Sequence, residues 1–235
     1  MANRAIAYID GFNLYNGIHA TYAHRYLWLD VVKLVQAMRP ASELVSVKYF
    51  TSTLLFDPDA QSRQAHYIAA LQAANPGVLE VFYGRYQPKV VTCNKCTASW
   101  TTYEEKETDV SIAVEMVADV ASGRADDFYI VSGDSDMAPA VRRMMKINPD
   151  IFCTAFFPPQ RKSDELLKLM PASRVIGRQK IDASQLDDEM SGESGSFSRP
   201  AKWRPGSFED AEPIDLTTVG YAIPKPGPHL HATAR

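Results

Sequence analysis

The sequence predicts an α/β protein with three layers, in which a mostly parallel β-sheet is covered by helices on both faces. Short apolar runs such as 5–9 and 128–131 alternate with segments of helical periodicity such as 110–121. This alternation is typical of parallel sheets, whose crossover connections usually contain a helix. With 235 residues, 46% of them hydrophobic, the chain can bury one sizeable core.

The individual elements follow from periodicity and from residues that interrupt it. Residues 45–53 are rich in β-branched and aromatic side chains, which favours a strand. Residues 59–74 have helical periodicity, which ends before Pro76-Gly77. Residues 86–104 are rich in Thr and Val and predict a hairpin inserted into the sheet. The expected strands are 5–9, 45–53, 79–86, 128–131, 151–157 and 175–176. The expected helices are 30–38, 59–74, 110–121, 137–144 and 163–170.

The composition changes near residue 181. Residues 182–235 contain six of the 15 prolines and five of the 12 glycines, with nine acidic and five basic side chains. Such segments rarely bury enough apolar surface to fold. The sequence therefore predicts a domain at 1–181 with an inserted hairpin at 86–104, followed by a disordered tail at 182–235. A chain truncated after Ile181 is accordingly expected to fold.

Charge and cysteine content narrow the class of protein. The formal net charge is −3, and no apolar run is long enough for a signal peptide core or a membrane span. Three cysteines do not form a disulfide framework in a chain of this length. These observations favour a cytoplasmic, reduced protein without a membrane partner.

Four aspartates stand where an α/β fold presents side chains to a ligand. Asp10 ends the first apolar run, Asp134 and Asp136 follow a later one, and Asp109 begins a helical pattern. Carboxylates that converge repel one another unless a hard divalent cation such as Mg²⁺ or Mn²⁺ neutralises them. Each also has a simpler interpretation: a turn at Asp10, a favourable helix-dipole charge at Asp109, and a helix cap at Asp136 rather than at Asp134.

Three segments resemble the signatures of the NYN domain family, whose fold is PIN-like and Rossmann-like. They are Tyr8-Ile-Asp-Gly-Phe-Asn-Leu-Tyr15, Glu105-Lys-Glu-Thr-Asp-Val110 and Val131-Ser-Gly-Asp-Ser-Asp136. The family is similar to metal-dependent ribonucleases, so the resemblance implies an Mg²⁺- or Mn²⁺-dependent nuclease. It implies that the four aspartates, Asp10, Asp109, Asp134 and Asp136, are catalytic and bind the metal. It also implies that Asn13 and Ser132 line the site.

A polyanionic substrate is consistent with the charge distribution. Residues 142–180 hold nine Lys and Arg against three Asp and Glu, and such a region can attract RNA. Lys106, Arg142 and Arg143 are the candidate substrate-binding residues, with a single RNA strand as the expected substrate. Exposed helix faces carry similar charge without binding anything. The alternative function is a non-catalytic RNA-binding or regulatory module with the same fold.

Cys93 and Cys96 form a Cys-x-x-Cys pair, which is half of a zinc site. No nearby His or Cys supplies the other half, so Zn²⁺ would have to be shared across a homodimer. The commoner interpretation is a hairpin tip with two reduced thiols.

Other acid-dependent folds match less well. A haloacid dehalogenase-like phosphatase needs a second acid where Phe12 stands, and a Toprim-like domain leaves Asp109 unexplained. The chain also contains no Gly-x-x-x-x-Gly-Lys-Ser/Thr loop for a nucleotide.

Overall fold

The computed structural model describes residues 2–192 and 195–205, and its main feature is a seven-stranded sheet. In chain order the strands of this sheet are β1 (Arg4–Asp10), β2 (Glu43–Ser52), β3 (Leu79–Thr92), β4 (Ser99–Lys106), β5 (Asp127–Val131), β6 (Phe152–Phe157) and β7 (Arg174–Val175). The helices are α1 (Gly11–Tyr22), α2 (Val31–Met38), α3 (Pro58–Ala74), α4 (Thr108–Ala121), α5 (Ala138–Ile147), α6 (Asp164–Leu169) and α7 (Arg178–Ala183).

The strands lie in the order β4-β3-β2-β1-β5-β6-β7, and every neighbouring pair is parallel except β3 and β4. From the central β1 the chain moves outward through β2 and β3, and later returns to β5 on the other side of β1. This reversal leaves a crevice at the carboxyl ends of β1 and β5, where open α/β sheets bind their ligands.

Each face of the sheet is covered by its own apolar layer. One layer contains Leu14 and Ile18 of α1 together with apolar side chains of α2 and α3. The other contains Ile112 and Met116 of α4 with Val141 and further side chains of α5. The predicted three-layer α/β class with a mostly parallel sheet is therefore confirmed.

The inserted hairpin is also present. Its two strands pair antiparallel from Arg85↔Lys106 to Thr92↔Ser99, so that β3 runs out of the main sheet and β4 returns. The predicted hairpin at 86–104 covers nearly all of this excursion.

Helix α1 is the largest element that the sequence pattern leaves unassigned. Asp10 begins it by accepting a hydrogen bond from the Asn13 N–H at 2.9 Å. Leu14, Gly17 and Ile18 then face the sheet at helical spacing and are buried. Two glycines and two asparagines in the first seven positions conceal this helix from propensity alone.

A buried charge network connects α4 to the sheet. Lys48 of β2 is 1% exposed, and its Nζ lies 2.5 Å from Glu115 Oε2 and 2.7 Å from Asp119 Oδ2. The hydroxyl of Tyr8 donates to Asp119 Oδ2 at 2.7 Å, and Arg124 donates to Asp119 Oδ1 at 2.9 Å. The network therefore holds the helix that carries Asp109 against β1 and β2.

The folded part extends past the predicted boundary at 181. The Leu186 N–H donates to the Trp28 carbonyl at 2.9 Å, and the Trp28 indole N–H donates to the Asp187 carbonyl at 2.8 Å. A two-stranded sheet follows, formed by β8 (Glu189–Gly192) and β9 (Gly195–Ser198). Residues 206–235, the remainder of the predicted disordered tail, lie outside the described residues.

This C-terminal segment is part of the core. Leu186, Phe197 and Trp203 are 3%, 9% and 6% exposed. The Trp203 ring centroid lies 6.3 Å from that of Trp28 and 5.8 Å from that of Tyr67. Part of the segment that the sequence predicts to be disordered therefore packs in the core, and a chain ending at Ile181 would lose these side chains. A few large side chains provide packing that a count of apolar residues underestimates.

Among the residues that the structure describes, no helix combines the length and apolar character that a membrane-spanning segment requires.

Candidate active site

The three acidic segments meet at the carboxyl edge of the sheet. Asp10 is the last residue of β1, Asp134 follows the end of β5, and Asp109 lies in the first turn of α4. A cleft of about 270 Å³ opens beside them. It is lined by Asp10, Phe12, Glu105, Lys106, Glu107, Thr108, Asp109 and Val110.

Asp10 is a buried carboxylate held in one orientation. It is 7% exposed, and its Oδ1 accepts the Asn13 N–H at 2.9 Å while its Oδ2 accepts the Ser132 hydroxyl at 3.0 Å. Ser132 Oγ in turn accepts the Asp134 N–H at 3.0 Å, and Asn13 Oδ1 accepts the Gly133 N–H at 3.0 Å. Asn13 and Ser132 thus tie the β1–α1 turn to the loop after β5. Their contact with a substrate stays a prediction.

Close approach of another loop requires the glycine between Ser132 and Asp134. A Cβ at Gly133 would lie 1.8 Å from the Arg161 carbonyl oxygen. The loop after β6 therefore packs directly on the acidic loop, and it brings Arg161 to the site. The sequence places Arg161 only within a broadly basic segment.

The helix-capping roles of Asp134 and Asp136 are the reverse of those predicted. Asp134 Oδ1 accepts the Asp136 N–H at 2.9 Å and begins the short 3₁₀ helix Ser135–Met137, whereas Asp136 is exposed. The tight turn directs the backbone N–H groups back to the first acid, which spacing alone does not reveal.

The acids influence one another electrostatically. The pKa of Asp10 is raised from 3.8 to about 6, mainly by burial and further by Asp109 and Asp134, while the hydrogen bonds from Asn13 and Ser132 oppose the rise. Burial also raises the pKa of Asp109, and Asp134, Glu105 and Asp136 add to it. All four predicted acids therefore contribute to one negative field.

Glu105 is an acid of this cleft that the sequence does not single out. Its Oε1 accepts the Ser52 hydroxyl at 2.8 Å and also accepts the Thr108 hydroxyl. It joins the C-terminal end of β2 to the start of α4. Its place within the Glu105–Val110 segment was the available signal.

The chemistry of these donors suits a hard divalent cation. All are carboxylate oxygens, and a cation would offset both the burial and the mutual repulsion that raise the pKa values of Asp10 and Asp109. Within residues 2–192 and 195–205, no three His, Cys, Asp or Glu side chains are already grouped to hold an ion. Asp10 and Asp109 line the cleft, and the acidic loop after β5 lies beside it, without a preassembled cage.

The predicted phosphate-binding residues are partly neutralised. Lys106 Nζ lies 3.1 Å from Glu104 Oε2, and Arg142 pairs with Glu165. Arg143 is exposed on α5. Their contacts with substrate remain predictions.

Cys93 and Cys96 lie at the tip of the hairpin with free thiols. Hydrogen bonds from the backbones of Cys96 and Lys95, and from the Cys96 side chain, lower the pKa of the Cys93 thiol. In the part of the chain that the structure describes, no third His, Cys, Asp or Glu joins them in a group that could hold a metal.

The raised pKa of Asp10 predicts a pH dependence of stability in metal-free protein. The folded protein holds this proton more tightly than the unfolded chain. Its stabilising contribution is therefore full below about pH 4 and is lost as the pH rises through about 6. The difference corresponds to about 3 kcal/mol. We expect urea unfolding, measured with a chelator present, to show this loss between about pH 4 and 7.5. Over that range the free energy of unfolding of the wild-type protein should fall by roughly this amount more than that of Asp10→Asn.

Asp59→Asn is the control, because Asp59 is an exposed acid in the first turn of α3. The stability of Asp59→Asn should change with pH as that of the wild-type protein does. Parallel pH profiles for wild type and Asp10→Asn would contradict the assignment.

Comparison with known proteins agrees with this architecture. Residues 4–171 match the NYN domain. The chain is 30% identical over 183 residues to 6-hydroxy-3-succinoylpyridine 3-monooxygenase HspA of Pseudomonas putida (strain DSM 28022 / S16), covering 63% of this chain and 57% of that protein. The chain thus spans little more than half the length of this relative.

A solved structure supports the fold alone. The crystal structure of VPA0982, a protein of unknown function from Vibrio parahaemolyticus RIMD 2210633, superposes with a TM-score of 0.50 at 19% identity. The match covers 75% of this chain and 94% of that one. NYN domains are generally nucleases, and they typically use divalent metals. With 4–171 matched and the three acidic segments at one edge of the sheet, this chain belongs to the NYN domain family.

Proposed function

We propose that this protein is a metal-dependent ribonuclease that hydrolyses phosphodiester bonds in single-stranded RNA. The observation that carries the proposal is the buried Asp10 at the crevice between β1 and β5, whose pKa is raised in part by Asp109 and Asp134. A buried carboxylate facing further acids is unfavourable without a cation. The family match independently favours nuclease chemistry.

The metal-binding residues of the proposal are Asp10, Asp109, Asp134 and Asp136. Mg²⁺ or Mn²⁺ held there would supply an activated water and stabilise charge on the phosphate and the leaving oxygen. Hard oxygen donors without His or Cys favour these ions over zinc.

The surrounding residues orient the acids and attract the substrate. Asn13 and Ser132 fix the carboxylate of Asp10 through the hydrogen bonds described above, so its oxygens keep one direction. Lys106 lines the cleft, and Arg161 lies beside Gly133. In this proposal Lys106 and Arg161 would contact phosphates that flank the cleaved bond, and Arg143 would extend the positive surface along α5.

The decisive test is cleavage of a labelled single-stranded RNA by the full chain in Mg²⁺ or Mn²⁺. Asp134→Asn and Asp10→Asn should lower the rate by more than about 100-fold, since loss of even an outer partner of a catalytic metal reduces activity by about 10- to 100-fold. Asp59→Asn is the matched control, because Asp59, like Asp109, is an exposed first-turn helix acid. Chelator should abolish activity.

Two results would contradict the proposal. RNA bound without cleavage in any divalent ion would favour the non-catalytic binding module. The second result is oxygen consumption that requires 6-hydroxy-3-succinoylpyridine and a reductant and is unaffected by Asp134→Asn. It would favour a monooxygenase activity like that of the similar protein.

A further inference from the structure

Three large rings near the carboxyl edge face solvent. Phe56, in the loop between β2 and α3, is 79% exposed, Tyr83 of β3 is 56% exposed, and Tyr103 of β4 is 43% exposed. Scattered single exposures are ordinary, but neighbouring exposed aromatic residues mark surfaces that bind something.

Phe56 and Tyr103 form a pair. Their ring centroids are 4.9 Å apart and their planes are inclined by 56°. Phe56 has a φ of 67°, a left-handed backbone conformation that costs a bulky residue about 1–2 kcal/mol. Burial of the Phe56 ring does not offset this strain, because most of the ring faces solvent.

The ring pair is continuous with the acidic cleft. Glu105 lines that cleft, and Tyr103 precedes it by two residues on β4, so both side chains project from the same face of the hairpin. Two residues of strand correspond to roughly 7 Å. A chain that leaves the cleft along this face therefore meets Tyr103 and Phe56 next.

Tyr83 forms one wall of a second cleft, of about 340 Å³, whose volume falls at the lower end of the range for small-ligand sites. This cleft lies on the α3 side of the sheet, because Tyr83 is an odd number of residues along β3 from Pro88, the partner of Tyr103. Thr53 and Pro58, at the two ends of the loop that carries Phe56, line it as well. Gln64 braces this loop by accepting the Leu54 N–H and donating to the Ser52 carbonyl, both at 2.9 Å. Exposed Gln61 and Ser62 add polar groups to the lining.

We propose that the Phe56–Tyr103 pair binds unpaired bases of the RNA strand lying across the acidic cleft, and that the Tyr83 cleft, reached over the loop that carries Phe56, accepts the next bases of the same strand as part of one subsite. This proposal rests on the proposed ribonuclease function. Aromatic faces stack on any base, and the polar lining of the Tyr83 cleft suits the edges of a base. Only unpaired bases can reach such rings, so the subsite selects single strands over duplexes.

In this proposal the subsite compensates for the repulsion between the acidic cleft and the RNA backbone. Carboxylates repel the phosphate backbone wherever the cation does not neutralise them. Stacking provides binding energy that does not depend on the backbone charge, beside the cleft where the carboxylates repel that charge.

Binding of a fluorescent single-stranded 12-nucleotide RNA to full-length Asp134→Asn protein in Mg²⁺ tests the subsite without cleavage. In that background Phe56→Ala/Tyr103→Ala and Tyr83→Ala should each weaken binding by about 10-fold or more. Phe56→Trp should retain affinity, since it keeps an aromatic face. Val90→Ala is the control, because Val90 is 69% exposed on the same hairpin and not aromatic. Circular dichroism establishes that each variant is folded.

The outcomes separate this proposal from the nuclease assignment. Equal affinity of the aromatic variants and their parent overturns the subsite, even if wild-type protein cleaves RNA. Reduced affinity in those variants, with no cleavage by wild-type protein, supports the subsite and overturns only the nuclease assignment. Wild-type protein that binds no RNA overturns both. An RNA with one abasic position should lose affinity only where that position meets the rings.

Discussion

A chain that ends at Ala183 is expected to lose most of its stability. Leu186, Phe197 and Trp203 are buried, and each such side chain contributes about 1.5–3 kcal/mol, so the total is about 5–9 kcal/mol. That sum is comparable to the whole stability of a typical domain, about 5–15 kcal/mol. Truncation also exposes Trp28, whose indole N–H loses its acceptor at Asp187.

The matched comparator is a chain that ends at residue 205, which keeps every contact described above. Urea unfolding should give nearly full stability for the longer chain and little or none for the shorter. Hydrogen exchange at the Trp28 indole provides a local measurement, because its N–H is protected only while Asp187 is in place. A stable, cooperative chain ending at Ala183 would refute this role of the C-terminal segment.

Replacing Lys48 with methionine is expected to destabilise the protein by about 3–5 kcal/mol, because it leaves Asp119 buried without its main cation. Asp119 is 2% exposed, and after the substitution its remaining cation is Arg124, whose half-exposed side chain pairs with the other carboxylate oxygen. Denaturant unfolding measures the loss. Lys162→Met is the control, since the side chains of Lys162 and its partner Asp164 are both at least half exposed and their loss should change stability by less than about 1 kcal/mol.

A double variant distinguishes an unpaired charge from lost packing. Lys48→Met/Asp119→Leu removes both charges and should recover part of the stability, as replacement of a buried ion pair by apolar residues often does. A double variant less stable than Lys48→Met alone would indicate that the network stabilises through Tyr8 and Arg124 instead.

Much of the fold could be predicted because local pattern and global architecture agree. The strand at 128–131 is a continuous apolar run, and α4 repeats its apolar residues at helical spacing. The order of the three acidic segments identifies the family, and the parallel topology then brings Asp10 and Asp134 to one edge.

What the pattern misses depends on partners distant in sequence. Nothing in the sequence around Lys48 distinguishes it from an exposed lysine of a strand, because its buried partner Asp119 is 71 residues away. Trp203 lies in a segment rich in Pro and Gly, so its packing against Trp28 is invisible to composition. The reversed capping roles of Asp134 and Asp136 depend on the dihedral angles of one tight turn.

The way the hairpin joins the sheet has a consequence for how such chains can diverge. Arg85 and Lys106 face each other where the hairpin leaves and re-enters, and a Cβ on the adjacent Gly84 would lie 2.4 Å from Thr108 Oγ1. The two ends of the excursion are therefore pinned beside α4. If β3 and β4 each gain or lose one residue at the tip of the hairpin, Asp109 therefore stays in place. The hairpin is thus an insertion point at which evolution or an engineer can change the surface beside the acidic cleft without realigning the acids.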